Sequence, residues 1–199
     1  MSKRRATLIA LGGLLVLLSM VSMAAGRVWV PLSDWLNPAD PRWSIIFELR
    51  LPRTILAVAV GAALGMAGAA MQGYTRNPLA DPGALGVSSM GALGAVLTLY
   101  LGAGAAEPWV ITAFAMLGAL VAVFLLLALS GRASSIVTFI LAGVILQTMA
   151  GAGVALALSL APNPWAVNEI VNWLMGSLAD RSLPEVRTAL PLIVLGCLL

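Results

Sequence analysis

The chain has 199 residues, 61% hydrophobic and 10% charged, with a mean hydropathy of +1.02 and a formal net charge of +3. Soluble domains carry about 25% charged residues, so composition alone excludes an ordinary water-soluble fold and makes nucleic acid an unlikely partner for this small positive charge. With no histidine and a single cysteine, Cys197, the sequence cannot build a zinc site, a Ser-His triad or a disulfide framework, and neither catalytic residues nor metal ligands are expected.

Charge-free windows mark the membrane spans. In chain order they predict an all-α, polytopic transmembrane helix bundle with spans over about 6–25, 54–74, 85–105, 108–130, 136–160 and from 186 onward. The first five reach the ~20 residues that a crossing helix needs, and Pro162 and Pro164 end the fifth. The last charge-free window, Thr188 to Leu199, holds twelve residues. At about 1.5 Å per residue it falls short of a ~30 Å hydrocarbon core. The expectation is one permease-type domain over 1–199, with five complete spans and the start of a sixth, truncated at its C-terminal end.

Lys3, Arg4 and Arg5 precede the first window, and small residues follow it at Ser22 to Gly26. A cleaved signal peptide shares this layout. The length of the apolar run, with no soluble-type sequence after it, favours a retained span. The inner segments then hold Lys3, Arg4, Arg5, Arg76 and Arg132 with one acid, Asp81, against six arginines and seven acids outside. Inner loops are much shorter and so denser in positive charge. Trp29, Trp35, Trp43, Trp109, Trp165 and Trp173 all fall at outer ends or in outer loops, as an interfacial aromatic belt requires. Both patterns predict a cytoplasmic N-terminus.

The second span carries Gly61 and Gly65 as a small-xxx-small pair, extended by Ala57 and Ala69 along one face. Such a stripe lets helix backbones approach closely, and helix packing is the role expected of both glycines. Glycines recur in the third span at 86, 91 and 94, and in the fifth at 143, 151 and 153. Intramembrane polar residues are few. No buried carboxylate or lysine is available for a proton relay, which moves the energy source of any transport to other chains. Gln147 either lines an aqueous path or hydrogen-bonds a neighbouring helix.

Between the second and third spans lies RNPLADPGALG, Arg76 to Gly86. Pro78 and Pro82 lack amide hydrogens and disfavour helix in the residues before them. About ten residues of irregular chain are therefore expected after a helix end near Tyr74. Irregular backbone at membrane depth survives only when buried in protein or lining a cavity, and Gly/Pro interruptions point to transport pathways. A simple cytoplasmic turn is the alternative, but four apolar residues among the polar ones favour a packed element. After the fifth span, Asn163 is a plausible N-cap with Pro164 at the first helical position. A short outer helix over about 164–176, packed by Trp173, is expected there.

These residues carry a family resemblance. The run from LRLPRTILAVAVGAALGMAGAAMQG to YTRNPLADPGALGVSSMGALGAV resembles the signature region of FecCD-type permeases, and FILAGVILQ and VNWLMGSLADRSLPEV resemble later parts of the same family. These are membrane subunits of type II ATP-driven importers for iron-siderophores, haem and cobalamin. The resemblance implies a multi-pass protein of the bacterial inner (plasma) membrane that forms the pathway for an iron-siderophore-type chelate, with cobalamin or haem as alternatives. It implies as partners a second permease subunit, two ATPase subunits and a substrate-binding protein. No cofactor would be bound by this chain, ATP and magnesium residing on the ATPases.

Residue by residue, the resemblance puts Arg50 and Arg53 at the outer mouth, where family arginines meet glutamates of the binding protein. Anchoring to lipid phosphate is the alternative for that pair. It makes Asn77 and Leu79 part of a cytoplasmic gate, and matches Ser134, Ser135 and Thr138 to the companion gate region. An intramembrane enzyme using Ser88 or Ser89 is the rival from another class, but a serine nucleophile needs a base and no histidine is present. A purely structural membrane subunit is the third reading.

Overall fold

The computed structural model describes residues 2–102, 108–131, 135–179 and 181–198. Every regular element among them is helical: α1 (Lys3–Ala24), α2 (Pro41–Ser44), α3 (Leu51–Thr75), α4 (Val87–Tyr100), α5 (Pro108–Ser130), α6 (Ile136–Ser159), α7 (Pro164–Met175) and α8 (Leu183–Leu198). Short 3-10 turns lie at Leu32–Leu36 and Pro82–Leu85, and a π-helical stretch at Ile45–Arg50 joins α2 to α3. Pro41–Thr75 thereby runs as one helix of 35 residues. Among the described residues, four helices are long and apolar enough to cross a membrane. The chain divides into two compact units, Met1–Met66 with Leu178–Leu199, and Ala67–Ser177.

In the first unit, α1 starts on Ser2, whose hydroxyl accepts the Arg5 amide hydrogen at 3.4 Å. Large apolar side chains such as Leu8, Ile9, Leu14 and Leu17 stand exposed along α1. A helix this apolar all round belongs in a hydrocarbon environment. The hydroxyls of Ser22 and Thr54 meet at 3.1 Å, joining α1 to α3. Val30 and Ile46 are fully buried where the connector and the π-helical stretch pack on this core.

The second unit is built on close helix crossings. On α4, a Cβ at Gly91 would lie 3.2 Å from the Ala115 carbonyl oxygen of α5, and one at Gly94 would collide with the Phe114 carbonyl. On α5, a Cβ at Gly118 would collide with the Met90 carbonyl. The two backbones touch, which only glycine permits. A second crossing sets α6 against the irregular segment. A Cβ on Gly143 would come within 2.7 Å of the Ala84 carbonyl oxygen, and one on Gly86 within 2.7 Å of the Gln147 amide nitrogen. Two apolar clusters fill the spaces beside these crossings: Val96, Leu99, Ala157 and Ile170 in one, and Leu126, Ala142 and Leu146 with Leu85 in the other.

Three expectations change. The small-residue face of the second span is not where the described residues pack: a Cβ at Gly61 or Gly65 would meet nothing within 4 Å. Glycine packing is realised on α4, α5 and α6 instead, because those helices cross at backbone contact. The third span begins later than residue 85. Pro82–Leu85 forms a 3-10 turn, Gly86 takes a left-handed φ of 72°, and only then does α4 run for 14 residues. At about 1.5 Å per residue that is roughly 21 Å. The outer helix is present as α7, with the Asn163 Oδ1 accepting from the Ala166 amide at 2.9 Å and Gly176 at its end. Its anchor is Ile170, fully buried, whereas Trp173 stays exposed. Ile170 packs against Val96 and Leu99 of α4 and Ala157 of α6.

Two substitutions separate the packed glycines from the open ones. Gly118→Val must force its side chain into the Met90 carbonyl, and overpacking of this kind costs about 1–3 kcal/mol or more. Thermal unfolding of the detergent-purified protein is expected to shift sharply downward for Gly118→Val and little for Gly65→Val. Equal shifts would refute this assignment of the crossings.

Candidate functional site

In the second unit, α3 stops at a tightly bonded turn. Arg76 adopts a left-handed φ of 52°, a conformation that costs a side-chain-bearing residue roughly 1 kcal/mol. The Asn77 amide then donates to the Gln72 carbonyl oxygen at 3.2 Å, the six-to-one bond of a Schellman ending. Asn77 goes on to organise the next turn. Its Oδ1 accepts the Leu79 amide hydrogen at 2.9 Å, and its carbonyl oxygen accepts from the Ala80 amide at 3.1 Å. Gln72 reaches over the top, its Nε2 donating to the Pro78 carbonyl oxygen at 3.0 Å. Asp81 closes the segment by accepting from the Gly83 amide at 3.1 Å. Backbone groups that the prolines remove from helix are thus paired within the segment itself.

The predicted gate residues occupy different environments in this unit. Leu79 stands 87% exposed at the tip of the turn, while Leu85 packs into the cluster around Leu146. Ser135 caps α6, its Oγ accepting the Thr138 amide at 3.2 Å and meeting the Thr138 hydroxyl at 3.1 Å. Ser134 lies outside the described residues. The rings of Tyr74 and Phe139 meet edge to face, centroids 5.6 Å apart. That contact brings the end of α3 and the start of α6 together, placing Asn77 and Leu79 at the same end of the unit as Ser135 and Thr138. Gln147 lies exposed on α6, and its side chain has no hydrogen-bond partner among the described residues. Sequence reasoning missed two contributors here, Gln72 as the clamp on Pro78 and the Tyr74–Phe139 contact. For the first there was a signal: a lone amide side chain six residues before a helix-stopping proline.

The two arginines of RLPR separate in the first unit, and the expectation of a matched docking pair is corrected accordingly. Arg53 is exposed, but Arg50 is 8% exposed and turned into the protein. Its Nη1 donates to the carbonyl oxygens of Met23 at 2.9 Å and Ala24 at 2.8 Å, and its Nη2 to that of Val28. Met23 and Ala24 close α1, where carbonyls lack helical partners and the helix dipole favours a cation. Among the described residues no carboxylate pairs with Arg50. The π-helical stretch explains the inward turn. It ends at Arg50, immediately before the buried Pro52, and the Leu51 amide bonds to the Ile46 carbonyl in the wide register. That extra residue per turn rotates Arg50 toward α1, a local irregularity that no periodicity in the sequence announces.

Residues 14–199 match the FecCD transport family. The chain belongs to the FecCD transport family. A relative in Klebsiella pneumoniae, described as vitamin B12 import system permease protein BtuC, is 32% identical over 195 residues, covering 98% of this chain and 58% of the relative. YvrB of Bacillus subtilis, described as an uncharacterized ABC transporter permease protein, is 42% identical over 167 residues, covering 80% of this chain and 46% of the relative. Among solved structures, a chain from an inward-facing ABC transporter described as of the metal-chelate type superposes with a TM-score of 0.84 at 30% identity, covering 96% of this chain and 59% of that one. The chain therefore spans about half the length of the curated relatives it matches. Like other FecCD members it is a multi-pass, all-helical protein of the bacterial plasma membrane, and the family is one of transport permeases rather than enzymes.

The cage around Arg50 makes a specific demand on its neighbours. A Cβ added to Gly26 would lie 2.7 Å from the Arg50 Nη2. Arg50→Lys replaces a three-bond fork with a single ammonium, and an unsatisfied buried carbonyl costs about 1–3 kcal/mol. Thermal unfolding should show comparable losses for Arg50→Lys and Gly26→Ala, and none for Gly12→Ala, where the added methyl meets open space. Unchanged unfolding in Arg50→Lys would remove the cage role.

Proposed function

We propose that this chain forms the pathway-bearing part of the permease of an ATP-driven importer, taking a bulky metal chelate from a substrate-binding protein. The observation that carries the reading is the FecCD match along residues 14–199, running through the hydrogen-bonded segment that packs on α6. In this reading the N-terminus is cytoplasmic and the turn at Asn77 and Leu79 lies at the inner end of the path. A second permease subunit and two ATPase subunits complete the importer, and ATP with magnesium binds on the ATPases. The cargo belongs to the class of large metal complexes that includes corrinoids and iron-siderophores. Relatives described as vitamin B12 permeases favour a corrinoid, while the motif resemblance also fits an iron-siderophore or haem.

Arg53 is the docking cation in this reading. It is exposed next to the π-helical turn, and a guanidinium suits carboxylates on a binding protein. Leu79 contributes the apolar plug of the inner seal, since dewetted constrictions block conduction. Asn77 and Gln72 hold the turn that presents it.

Three measurements test this. Disruption of the gene in its native host should abolish uptake of either radiolabelled cobalamin or a radiolabelled ferric siderophore, and complementation should restore it; intact uptake of every chelate tried would overturn the transport reading. Arg53→Glu should weaken binding of the cognate binding protein to the assembled transporter in nanodiscs, with the effect shrinking as salt rises. Leu79→Ser should make resting proteoliposomes leaky to a small dye without ATP, and a vesicle as tight as the parent would exclude Leu79 from the seal.

A further inference from the structure

The connector between α1 and α2 is held rigidly, yet presents apolar side chains outward. Val30 is its anchor, fully buried, with its amide donating to the Ala24 carbonyl oxygen at 3.2 Å. The 3-10 turn Leu32–Leu36 is tied down from the far side by an ionic cluster. Arg42 meets the Asp34 Oδ2 at 2.8 Å and the Asp40 Oδ2 at 2.9 Å, and Asp40 also caps α2 by accepting the Arg42 amide hydrogen. The Arg42 hydrogen bonds hold the Asp40 carboxyl below its usual range. Against this rigid base, Trp29 is 65% exposed, Leu32 56% and Leu36 91%. Leu32 opens the turn and Leu36 closes it.

We infer that this turn is an interfacial anchor, lying in the headgroup region of the leaflet where α1 ends, with Trp29, Leu32 and Leu36 inserted among the upper acyl chains. Three features favour lipid as the occupant. First, position: α1 ends at Ala24 and the next membrane-capable helix starts at Pro41. A connector whose Val30 amide is still bonded to Ala24 cannot leave the interface. Second, exposure: Leu18 and Val21 near the end of α1 and Val28 and Trp29 ahead of the turn are all exposed apolar side chains. Third, charge: Arg42 pairs with both Asp34 and Asp40, so neither carboxylate is left without a cation for a protein partner to supply. Aromatic and leucine side chains over an ion-paired base are the pattern of an in-plane membrane anchor. Trp43, by contrast, stacks on Phe47 with centroids 4.6 Å apart, which separates it from the anchor.

The experiment uses the complete transporter in nanodiscs, with Cys197→Ser as background and single cysteines at Leu32, Leu36, Asn37 and Ala39 carrying nitroxide labels, the last two exposed beyond the turn. Power saturation is read with oxygen, which concentrates in lipid, and with a water-soluble nickel chelate. Labels at 32 and 36 are expected to be several-fold less accessible to nickel than those at 37 and 39, and more accessible to oxygen. Uniform nickel accessibility would overturn the anchor. So would protection at 32 and 36 that appears only when the binding protein is added, because the face would then be a protein-docking surface. Should labelling impair assembly, Trp29→Phe in the otherwise native protein reads the same contact. Quenching of tryptophan fluorescence by dibrominated phosphatidylcholine is expected to fall, and unchanged quenching would count equally against the proposal.

Discussion

In hydrocarbon no water is available to take a hydrogen bond, so every N–H and C=O must be paired inside the protein. Long helices meet that demand automatically along their length and fail it at their ends and interruptions. Each unusual feature of this chain sits at such a failure point. The carbonyls that close α1 are taken by Arg50. The backbone freed by Pro78 is taken by Gln72, and the turn after it by Asn77 and Asp81. Ser135 and Asn163 cap the starts of α6 and α7. Polar side chains are scarce in this sequence, and several of the described ones serve where helical pairing stops.

Burying Arg50 has an electrostatic logic of its own. An isolated buried charge is costly, and the usual remedy is a carboxylate. Here the counter-charge is the negative end of α1, supplied as carbonyl oxygens in the fork geometry that guanidinium suits. The arrangement needs a helix register that turns residue 50 inward and a glycine at 26 that leaves room for the guanidinium. A single added methyl or a change from guanidinium to ammonium disturbs all three bonds together.

Packing follows a second rule. Without a strong hydrophobic drive between apolar helices in lipid, close backbone approach carries association. Gly91, Gly94 and Gly118 supply it between α4 and α5, and Gly86 and Gly143 between the irregular segment and α6. The segment from Arg76 to Gly86 is therefore no free loop. Its far end is fixed by backbone contact with α6, and its near end by the Tyr74–Phe139 contact, leaving Leu79 as the part that projects.

Much of this was legible in the residues. Apolar windows located α1, α5 and α6 nearly to the residue, and the Asn163-Pro164 pair with Gly176 bounded α7, because span length and cap chemistry are local properties. The prolines announced the break after Tyr74, and the family resemblance rested on a contiguous motif. What the sequence could not decide was which small residues touch anything. Gly61 and Gly65 have the same spacing as a packing pair but face open space, while Gly94 and Gly118 have backbones against them. Nor could it separate Arg50 from Arg53, three positions apart with identical side chains. One π-helical turn before Pro52 rotates the first into the protein and leaves the second outside. Span, cap and break are written in neighbours along the chain; contact and burial depend on which distant backbone arrives beside a residue, and only the tertiary structure sets that.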